Sequence, residues 1–481
     1  MHLTVILRIT GTLLTLFSFA FLLPVVVALG YGENTLPTFF SAFAITLVSG
    51  LVLWLPLRGN RDLRGGDGFL VTALFYLGLG VFGAIPFWLA DVTDLTFTDS
   101  VFESISGLTT TGATTLTGLD NLPKSLLLYR QMLQWMGGMG IIVLAVAIFP
   151  MLGIGGMQLY RTESAGPIKD NKLTPRITET AKALWYIYIG LTAACACAYW
   201  FAGMSGFDAI SHSFSTVSIG GFSTHDASLG FFDNAAVETV AIVFMVLSGI
   251  NFALHFLVWR RRNPIHYFRD MEVRAYLLML MFVAIVVCTL LLLNPSSSSQ
   301  PWRDGLFQAV SITTTTGFTT AQFAAWPSVA PIVLLFAAFA GGCAGSTAGG
   351  IKIIRVVMIY LQGMREVKRL IHPNGVFSIK LGRNSVPNRL IDAVWSFFSV
   401  YVFFFLLSVC ALMAVGQLDF ITAFSAVGAC LNNLGPGLGD VAINYTSITA
   451  EVKWILMFNM VLGRLEIFTL LVLLTPAYWR R

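Results

Sequence analysis

The sequence predicts an all-α polytopic membrane protein, in which two N-terminal helices precede four parallel helix–pore loop–helix repeats around a pseudo-fourfold central pore. The composition indicates a protein that lies in a membrane, because 56% of the 481 residues are hydrophobic and only 11% are charged. The mean hydropathy is +0.78. Apolar runs of roughly 20 residues, enough to cross the hydrocarbon core, recur along the chain. Four short glycine-bearing segments lie between these runs. No polar stretch has room for a soluble catalytic domain, so we do not expect an enzyme.

The chain begins with two apolar segments, at 3–29 and 38–57, which we expect to form a helical hairpin within residues 1–67. The first is similar in composition to a secretory leader. Its apolar core is too long, however, and no small-residue cleavage site follows it. We therefore expect it to remain as a helix.

Four units follow the hairpin. Each unit consists of an apolar helix, a short segment that ends in a glycine motif, and a second apolar helix. The predicted units are 68–152, 180–262, 270–366 and 390–481. With the hairpin they predict ten membrane crossings and four loops that enter and leave the membrane on one side.

The four glycine motifs share one register. Their sequences TTTGATT, SIGGFST, TTTGFTT and NNLGPGL align Gly112, Gly221, Gly317 and Gly435. Six residues earlier stand Ser106, Ser215, Ser311 and Ala429, and thirteen residues earlier stand Asp99, Asp208, Asp304 and Thr422. We expect this last set to cap a short helix in each unit, since their side-chain oxygens accept hydrogen bonds from free amides.

Lysine and arginine collect in the linkers between the hairpin and the units. The positive-inside rule predicts that these linkers and both termini are cytoplasmic, so the glycine loops enter from the outer face. Because each unit begins and ends inside, the units are parallel and related by an axis along the membrane normal. Anionic lipid is a further expected partner of the basic linkers. Their basic residues are Arg58, Arg61, Arg64, Arg161, Lys169, Lys172, Arg176, Lys182, Arg260, Arg261, Arg262, Arg269, Arg274, Lys352, Arg355, Arg365, Lys368, Arg369, Lys380, Arg383 and Arg389.

The residues just before and at each aligned glycine are the candidate cation ligands. The C-terminal ends of four short helices carry partial negative charge toward the membrane centre, and glycine adopts backbone conformations that other residues avoid. Four such strands around one axis can replace the water shell of an ion by backbone carbonyls. The alternative is that small residues let helices pack closely. The candidates are Thr110, Thr111, Gly112, Ile219, Gly220, Gly221, Thr315, Thr316, Gly317, Asn433, Leu434 and Gly435.

The second apolar helix of the third unit is interrupted by GGCAGSTAGG at 341–350. Five glycines in ten residues do not support a stable helix. A phosphate-binding loop needs a lysine directly after its last glycine, whereas Ile351 stands there. We expect an intramembrane gating loop; a kink without function is the alternative. The candidate gating residues are Gly345, Ser346, Thr347, Gly349 and Gly350.

Arg464 lies within the last apolar run. A charge at such depth costs roughly 2.5 to 3.5 kcal/mol on insertion scales and usually faces a cavity or a partner. Glu466 lies two positions along, on another helix face. We expect Arg464 to point into the pore and to hold the 341–350 loop closed; a structural ion pair or a carbonyl-bonded anchor is the alternative.

Other polar residues give weaker indications. Asp120 and Asp226 are expected near the outer mouth, where acidic groups attract cations weakly. His212 and His225 could tune the entry of cations, but we expect them to be polar residues whose hydrogen bonds are satisfied within the protein. The six cysteines have no metal-ligand spacing, so packing is their expected role.

These features resemble the Trk/Ktr/HKT superfamily of potassium transporters, and GGCAGSTAGG at 341–350 with GRLEIFT at 463–469 resembles its bacterial TrkH branch. The resemblance covers essentially the whole chain. It implies potassium as the transported ion in the bacterial inner membrane, bound by the backbone carbonyls of the twelve candidates, with Gly112 intact as in the potassium-selective members. The fourth motif departs from the pattern, because Asn432, Asn433 and Leu434 replace the threonines and Pro436 follows the glycine.

The resemblance also implies partners. It implies a homodimer and a cytosolic, TrkA-like nucleotide-binding subunit that regulates the pore, since this chain has no nucleotide motif of its own. Membrane lipid is expected as a partner, whereas nucleic acid and a bound organic cofactor are not.

Two transport mechanisms are consistent with the sequence. Channel-like conduction relies on a continuous filter and a loop gate. Alternating access would make the broken helix one of the discontinuous helices of a symporter coupled to H⁺ or Na⁺. A membrane scaffold without transport leaves the four motifs unexplained.

Overall fold

The structure, a computed structural model, describes residues 3–56, 67–143, 177–294, 296, 298–327, 329–382 and 384–480. This described part is almost entirely helical, as predicted. Its sheet is a two-stranded antiparallel pair, β1 (Lys380–Leu381) with β2 (Asn384–Ser385). The end of the predicted first unit lies outside the described residues, as do Arg58, Arg61, Arg64, Arg161, Lys169, Lys172, Arg176 and Arg383.

The N-terminal hairpin packs its two arms closely. It consists of α1 (Leu3–Ser18), a 3₁₀ turn (Phe19–Phe21), α2 (Leu22–Tyr31) and α3 (Leu36–Trp54). A Cβ atom on Gly11 would press on the backbone of α3, and one on Gly50 would press on the backbone of α1. The small residues therefore let the two arms approach, as in other membrane helix pairs.

The helices after the hairpin alternate between long apolar helices and shorter ones, and they are grouped here by the predicted units. The first two units contain α4 (Asp67–Gly83), α5 (Ile85–Leu89), α6 (Phe97–Leu108), α7 (Lys124–Val143), α8 (Ile177–Phe201), α9 (Gly206–Val217), α10 (Ala235–Ser248) and α11 (Phe252–Arg261). The remaining helices are α12 (Ile265–Arg269), α13 (Met271–Leu292), α14 (Pro301–Thr313), α15 (Ala330–Ala340), α16 (Ile353–Ile371), α17 (Asn388–Gly416), α18 (Phe420–Leu431), α19 (Ala450–Arg464), α20 (Phe468–Leu474) and α21 (Pro476–Trp479). Four 3₁₀ turns follow the glycine motifs, at Leu119–Asn121, Ser228–Phe232, Phe323–Ala325 and Gly439–Val441.

Six helical stretches of the described chain are long and apolar enough to cross a membrane, and two bent helix pairs raise the number to eight. The bent pairs are α10 with α11, at 95°, and α19 with α20, at 116°. The other two predicted crossings correspond to α7, which ends at the limit of the described residues, and to the shorter apolar helix α15. Between 22% and 50% of each long apolar window is buried inside the protein, which leaves side chains to face lipid.

Four short helices, α6, α9, α14 and α18, are called the loop helices below. They have 12 or 13 residues each, and their C-terminal parts are buried almost completely. In α6 every residue from Ser100 to Leu108 is buried. The loop helices are therefore surrounded by the longer apolar helices, and their C-terminal ends lie inside the protein.

The predicted caps of the loop helices are wrong, by three residues in α6, α9 and α18 and by four in α14. The N-cap residues are Thr96, Ser205, Gln300 and Asp419. Asp99 and Asp208 instead stand at the third helical position and accept a hydrogen bond from the Thr96 and Ser205 hydroxyls, at 2.7 Å in both cases. The Asp99 and Asp208 amides in turn donate to these hydroxyls, at 3.2 and 3.1 Å, so in both helices the hydroxyl residue three positions before the aspartate occupies the cap.

Candidate functional site

All four loop helices end in the same way, in a segment called here the glycine segment: residues 109–112, 218–221, 314–317 and 432–435. In the first unit, the Thr110 amide donates to the Gly107 carbonyl and the Thr111 amide to the Ser106 carbonyl, both at 2.9 Å. The other units repeat both bonds, a pattern known as the Schellman motif. The backbone carbonyl of the aligned serine accepts the second bond, so Ala429 serves as well as Ser106.

Each glycine segment contains two residues with left-handed backbone. The aligned glycines have φ between 79° and 96°. Two residues earlier, a residue with a side chain also has positive φ, although such a conformation is uncommon for any residue other than glycine and an outlier for β-branched ones. These residues are Thr110 at 54°, Ile219 at 55°, Thr315 at 66° and Asn433 at 54°. The sequence predicted only the glycine.

The glycine segments form a closed ring in chain order. A Cβ atom on Gly112 would overlap the carbonyl oxygen of Gly220 in the second segment. A Cβ on Gly221 would overlap the Thr316 carbonyl, one on Gly317 the Leu434 carbonyl, and one on Gly435 would crowd the Thr111 carbonyl. Each aligned glycine thus faces the carbonyl of the residue before the next glycine, and the fourth segment returns to the first.

The side chains that support the segments differ between units. In the first and third, two threonine hydroxyls bond each other at 2.8 Å: Thr109 with Thr111, and Thr314 with Thr316. In the fourth, Asn433 Nδ2 donates to Thr111 Oγ1 at 3.0 Å and to the Met460 carbonyl at 2.9 Å. The divergent fourth segment is therefore tied to the first by its own side chain.

The 341–350 loop separates α15 from α16 and packs against the glycine segments. The Gly349 amide donates to Thr315 Oγ1 at 2.7 Å, and the Gly350 amide donates to the Asn432 carbonyl at 3.1 Å. Thr347 Oγ1 donates to the Val217 carbonyl at the end of α9, at 2.9 Å. The loop therefore contacts the second, third and fourth units at the level where their loop helices end.

The first half of the loop is held by other neighbours. Ser346 Oγ donates to the Cys343 carbonyl at 2.6 Å. The Gly345 carbonyl accepts from the Phe252 amide at 3.1 Å. Gly345 is thus attached to the start of α11, next to the bend between α10 and α11, whereas the Ser346 hydroxyl bonds within the loop itself.

Arg464 is the last residue of α19 and is 5% exposed. Its Nη1 donates to the Thr347 carbonyl at 3.1 Å, and its Nη2 donates to the Gly137 carbonyl of α7 at 3.4 Å. The side chain thus connects the 341–350 loop to the first unit. Glu466 pairs with a different residue, Arg355, at 2.5 Å.

Comparison with known proteins places the chain in a family. The profile of the TrkH family, described as cation transport protein, matches residues 35–481. The chain belongs to this family. Its TrkH-family relatives are named as transporters and not as enzymes, and the apolar helices together with this membership indicate a multi-pass membrane protein.

Individual relatives in the TrkH family match over their full length. The Trk system potassium uptake protein TrkH of Vibrio parahaemolyticus is 54% identical over 481 residues, which cover 99% of both chains. The protein of the same name from Escherichia coli K12 is 54% identical over 484 residues and 100% of both chains. The crystal structure of the potassium transporter TrkH from Vibrio parahaemolyticus matches with a TM-score of 0.92 at 51% identity and covers 100% of both chains.

A buried ion pair behind the first glycine segment was missed in the sequence. Arg130 of α7 is 1% exposed, and its Nε donates to Glu103 of α6 at 2.7 Å. Arg130 Nη1 also donates to the Ser223 carbonyl of the second unit at 3.0 Å. Arg130 lies inside an apolar run, as Arg464 does, so the same reasoning could have identified it from the sequence.

Three further ion pairs join consecutive units. Arg303 of the third unit pairs with Glu238 of the second at 2.8 Å. The pair of Arg355 with Glu466 joins the third unit to the fourth, and Lys453 with Asp99 joins the fourth to the first at 2.6 Å. Sequence spacing could not reveal these pairs, since their partners are between 65 and 354 residues apart.

Beyond the second glycine segment, His225 connects two units. Its Nδ1 lies 2.5 Å from Asp120 of the first unit, and its Nε2 lies 3.6 Å from Asp208 of the second. Burial lowers the pKa of His225, but the neighbouring carboxylates of Asp208 and Asp120 outweigh this and raise it above its ordinary value of 6.5. His212 is fully buried and bonded at both ring nitrogens, to the Asp208 carbonyl and to Ser223 Oγ, each at 2.9 Å.

Side-chain metal ligands do not explain the site. Within the described ranges, no group of three or more His, Cys, Asp or Glu side chains is placed to hold a metal ion. The oxygen atoms that lie beside the aligned glycines of the ring are backbone carbonyls, a type of ligand suited to a desolvated monovalent cation.

Proposed function

We propose that this chain takes up potassium across the bacterial inner membrane through a filter formed by the four glycine segments. The closed ring of glycines and neighbouring carbonyls, which returns from the fourth segment to the first, carries the proposal. The two relatives described above are named as potassium uptake proteins. The carbonyls of the twelve candidate residues would replace the water of a K⁺ ion, which is the transported ion and not a resident cofactor.

The ends of the loop helices favour a cation in the ring. Each glycine segment directly follows a helix C-terminus, where unsatisfied carbonyls carry partial negative charge. The Schellman bonds fix the direction in which each chain leaves its helix. We therefore expect four preorganised, partially negative helix ends to stabilise the cation without a formal charge on any residue of the glycine segments.

The 341–350 loop and Arg464 form the proposed gate. Gly349, Gly350 and Thr347 hydrogen-bond to groups at the ends of three loop helices, so the loop obstructs the route below the ring. Arg464 adds a positive charge beside Thr347 and repels a cation there. Opening would require these hydrogen bonds to break together.

Control of the gate is assigned to a partner. The relatives are described as parts of a Trk system, which implies more than one component. We place a TrkA-like, nucleotide-binding subunit on the cytoplasmic face and a second copy of this chain beside the first. Both termini lie inside in this arrangement, and anionic lipid contacts the basic linkers.

Replacing Gly112 by serine tests the filter. The added Cβ would overlap the Gly220 carbonyl, so we expect the permeability ratio of K⁺ over Na⁺ to fall severalfold in reconstituted bilayers. Gly118→Ser is the matched control, because Gly118 also has positive φ, at 69°, but open space around it. An unchanged ratio for Gly112→Ser would overturn the filter assignment.

The break between α15 and α16 also fits a symporter that uses alternating access and couples potassium to H⁺ or Na⁺. Single-channel recording in planar bilayers distinguishes the two mechanisms. Channel-like conduction gives unitary steps that carry many ions per opening, whereas a carrier moves a fixed number per cycle. The closed ring favours the channel, and an absence of unitary steps at high protein density would favour the symporter.

A further inference from the structure

The second glycine segment lacks a side chain where the other three have one. The residue before the aligned glycine is Thr111, Thr316 or Leu434 in three units and Gly220 in the second. Gly220 does not have positive φ, so its backbone conformation does not require glycine. The lack of room beside Gly220 is what requires glycine at this position.

Gln134 of α7 occupies that space. A Cβ atom on Gly220 would overlap the carboxamide of Gln134. Gln134 Nε2 donates to the Gly220 carbonyl at 2.5 Å, and its Oε1 accepts from the Phe222 amide at 3.1 Å. Gln134 is completely buried, so both halves of the carboxamide are used on either side of Gly221.

In the second segment, the Gln134 carboxamide provides a supporting hydrogen bond from another unit, whereas two other segments provide such a bond from their own side chains. Thr111 and Thr316 are each braced by the hydroxyl of a threonine two residues earlier in the same segment. In the second segment this brace comes from the preceding unit, and it acts on the carbonyl itself. That carbonyl is the one that faces Gly112 in the ring.

We infer that Gln134 is a positioning residue that sets the ion selectivity of the second segment. This inference rests on the proposed function. Sodium is smaller than potassium, so the ring carbonyls must move inward to coordinate it. A donor behind the Gly220 carbonyl opposes that movement and also draws electron density from the oxygen. Both effects disfavour the smaller ion.

Gln134→Met tests the inference, because methionine keeps the length of the side chain and removes both hydrogen bonds. We expect the permeability ratio of K⁺ over Na⁺, measured from reversal potentials in planar bilayers, to fall about fivefold, the equivalent of one ordinary hydrogen bond. A lower flux with an unchanged ratio would mean that Gln134 has only a structural role, and it would overturn the inference.

Gln308→Met is the matched control. Gln308 is equally buried and lies on a loop helix, but its Nε2 donates to the Ala321 carbonyl, outside the ring, at 3.4 Å. We expect its ratio to equal that of the wild type. A fall as large as that of Gln134→Met would show that loss of any buried amide disturbs selectivity, and would also overturn the inference.

A second pair of variants works even if Gln134→Met folds poorly. Gly220→Ala alone should abolish transport, since its Cβ overlaps the carboxamide, whereas Gly220→Ala with Gln134→Ala should regain flux at a reduced ratio. No recovery in the double variant contradicts the inference.

The failure of the inference can be distinguished from the failure of the proposed function. If the wild type does not prefer potassium, or if Gly112→Ser leaves the permeability ratio unchanged, the proposed function fails. If both behave as expected and only Gln134→Met leaves the ratio unchanged, the inference alone fails.

Discussion

At the scale of single residues, four side-chain-bearing residues hold a backbone conformation that costs about 1 to 3 kcal/mol each. They are Thr110, Ile219, Thr315 and Asn433. Thr110, Ile219 and Thr315 have the least suitable side chains, because they are β-branched, whereas asparagine tolerates this conformation better. The Schellman hydrogen bonds and nearly complete burial offset the strain. The sequence marked only the glycines, since strain on a threonine or isoleucine leaves no trace in the residue pattern.

Arg464→Ala should increase potassium flux severalfold. The substitution removes a positive charge from the proposed path and the donor that holds the Thr347 carbonyl. Flux of K⁺ into reconstituted vesicles measures the effect, with Arg464→Lys as the control that keeps the charge and should stay near the wild type. Unchanged or lower flux for Arg464→Ala would argue for the structural anchor instead of the gate.

His225 should make stability depend on pH. Because the pKa of folded His225 lies above its ordinary value of 6.5, its contribution is fully present below pH 6.5 and is lost as pH rises through the folded pKa. We expect the thermal unfolding temperature of the wild type to fall over this range, and His225→Gln to remove the step.

The control for this pH effect is His372→Gln, since His372 is exposed. Its unfolding curve against pH should follow the wild type. Superimposable curves for His225→Gln and the wild type would mean that the pairs with Asp120 and Asp208 contribute nothing to stability.

At the scale of helices, the breaks determine where the site lies. The glycine-rich sequence at 341–350 predicted one break, and the structure ends α15 at Ala340 and begins α16 at Ile353. The bends of 95° and 116° in the second and fourth units were not predicted, because each helix pair together is long and apolar enough to resemble a single membrane crossing. Gly249 lies at the first bend, where a Cβ would overlap the Tyr276 hydroxyl. A contact with a residue distant in the sequence therefore requires glycine at this position.

Gly349→Ala should weaken the closed position of the 341–350 loop. Its Cβ would overlap the Asn432 carbonyl, which forces the loop away from the glycine segments and should raise the open probability in single-channel records. Gly363→Ala is the control, since no atom lies within 4 Å of the Cβ that would be added to Gly363 of α16. Equal open probability for the two variants would contradict a gate at this position.

At the scale of the whole molecule, consecutive units are joined by charged side chains at every junction. Arg130 reaches from the first unit to the second, and ion pairs join the second to the third, the third to the fourth and the fourth to the first. Removing one partner of such a partly buried pair leaves the other charge uncompensated. The junctions therefore hold the ring closed while the segments themselves remain uncharged.

The purified chain alone should not respond to nucleotide. It has no nucleotide-binding motif, so regulation is assigned to the cytosolic partner. Potassium flux in vesicles that contain only this chain should be the same with and without ATP or NADH, and should become nucleotide-dependent when the TrkA-like subunit is added. A nucleotide response in its absence would place the sensor in this chain.

The sequence by itself determined the membrane class, the almost entirely helical fold and the interruption at 341–350, because hydropathy and glycine spacing are local properties. The bounds of the hairpin and of the four units stay its prediction. It misplaced the helix caps, since Ser, Thr and Asp all suit that position and only geometry selects among them. Only the tertiary structure decided that the segments close in chain order, that Gln134 fills the place beside Gly220, and that Arg464 meets Thr347. These contacts join residues that lie far apart in the chain, and packing brings them together.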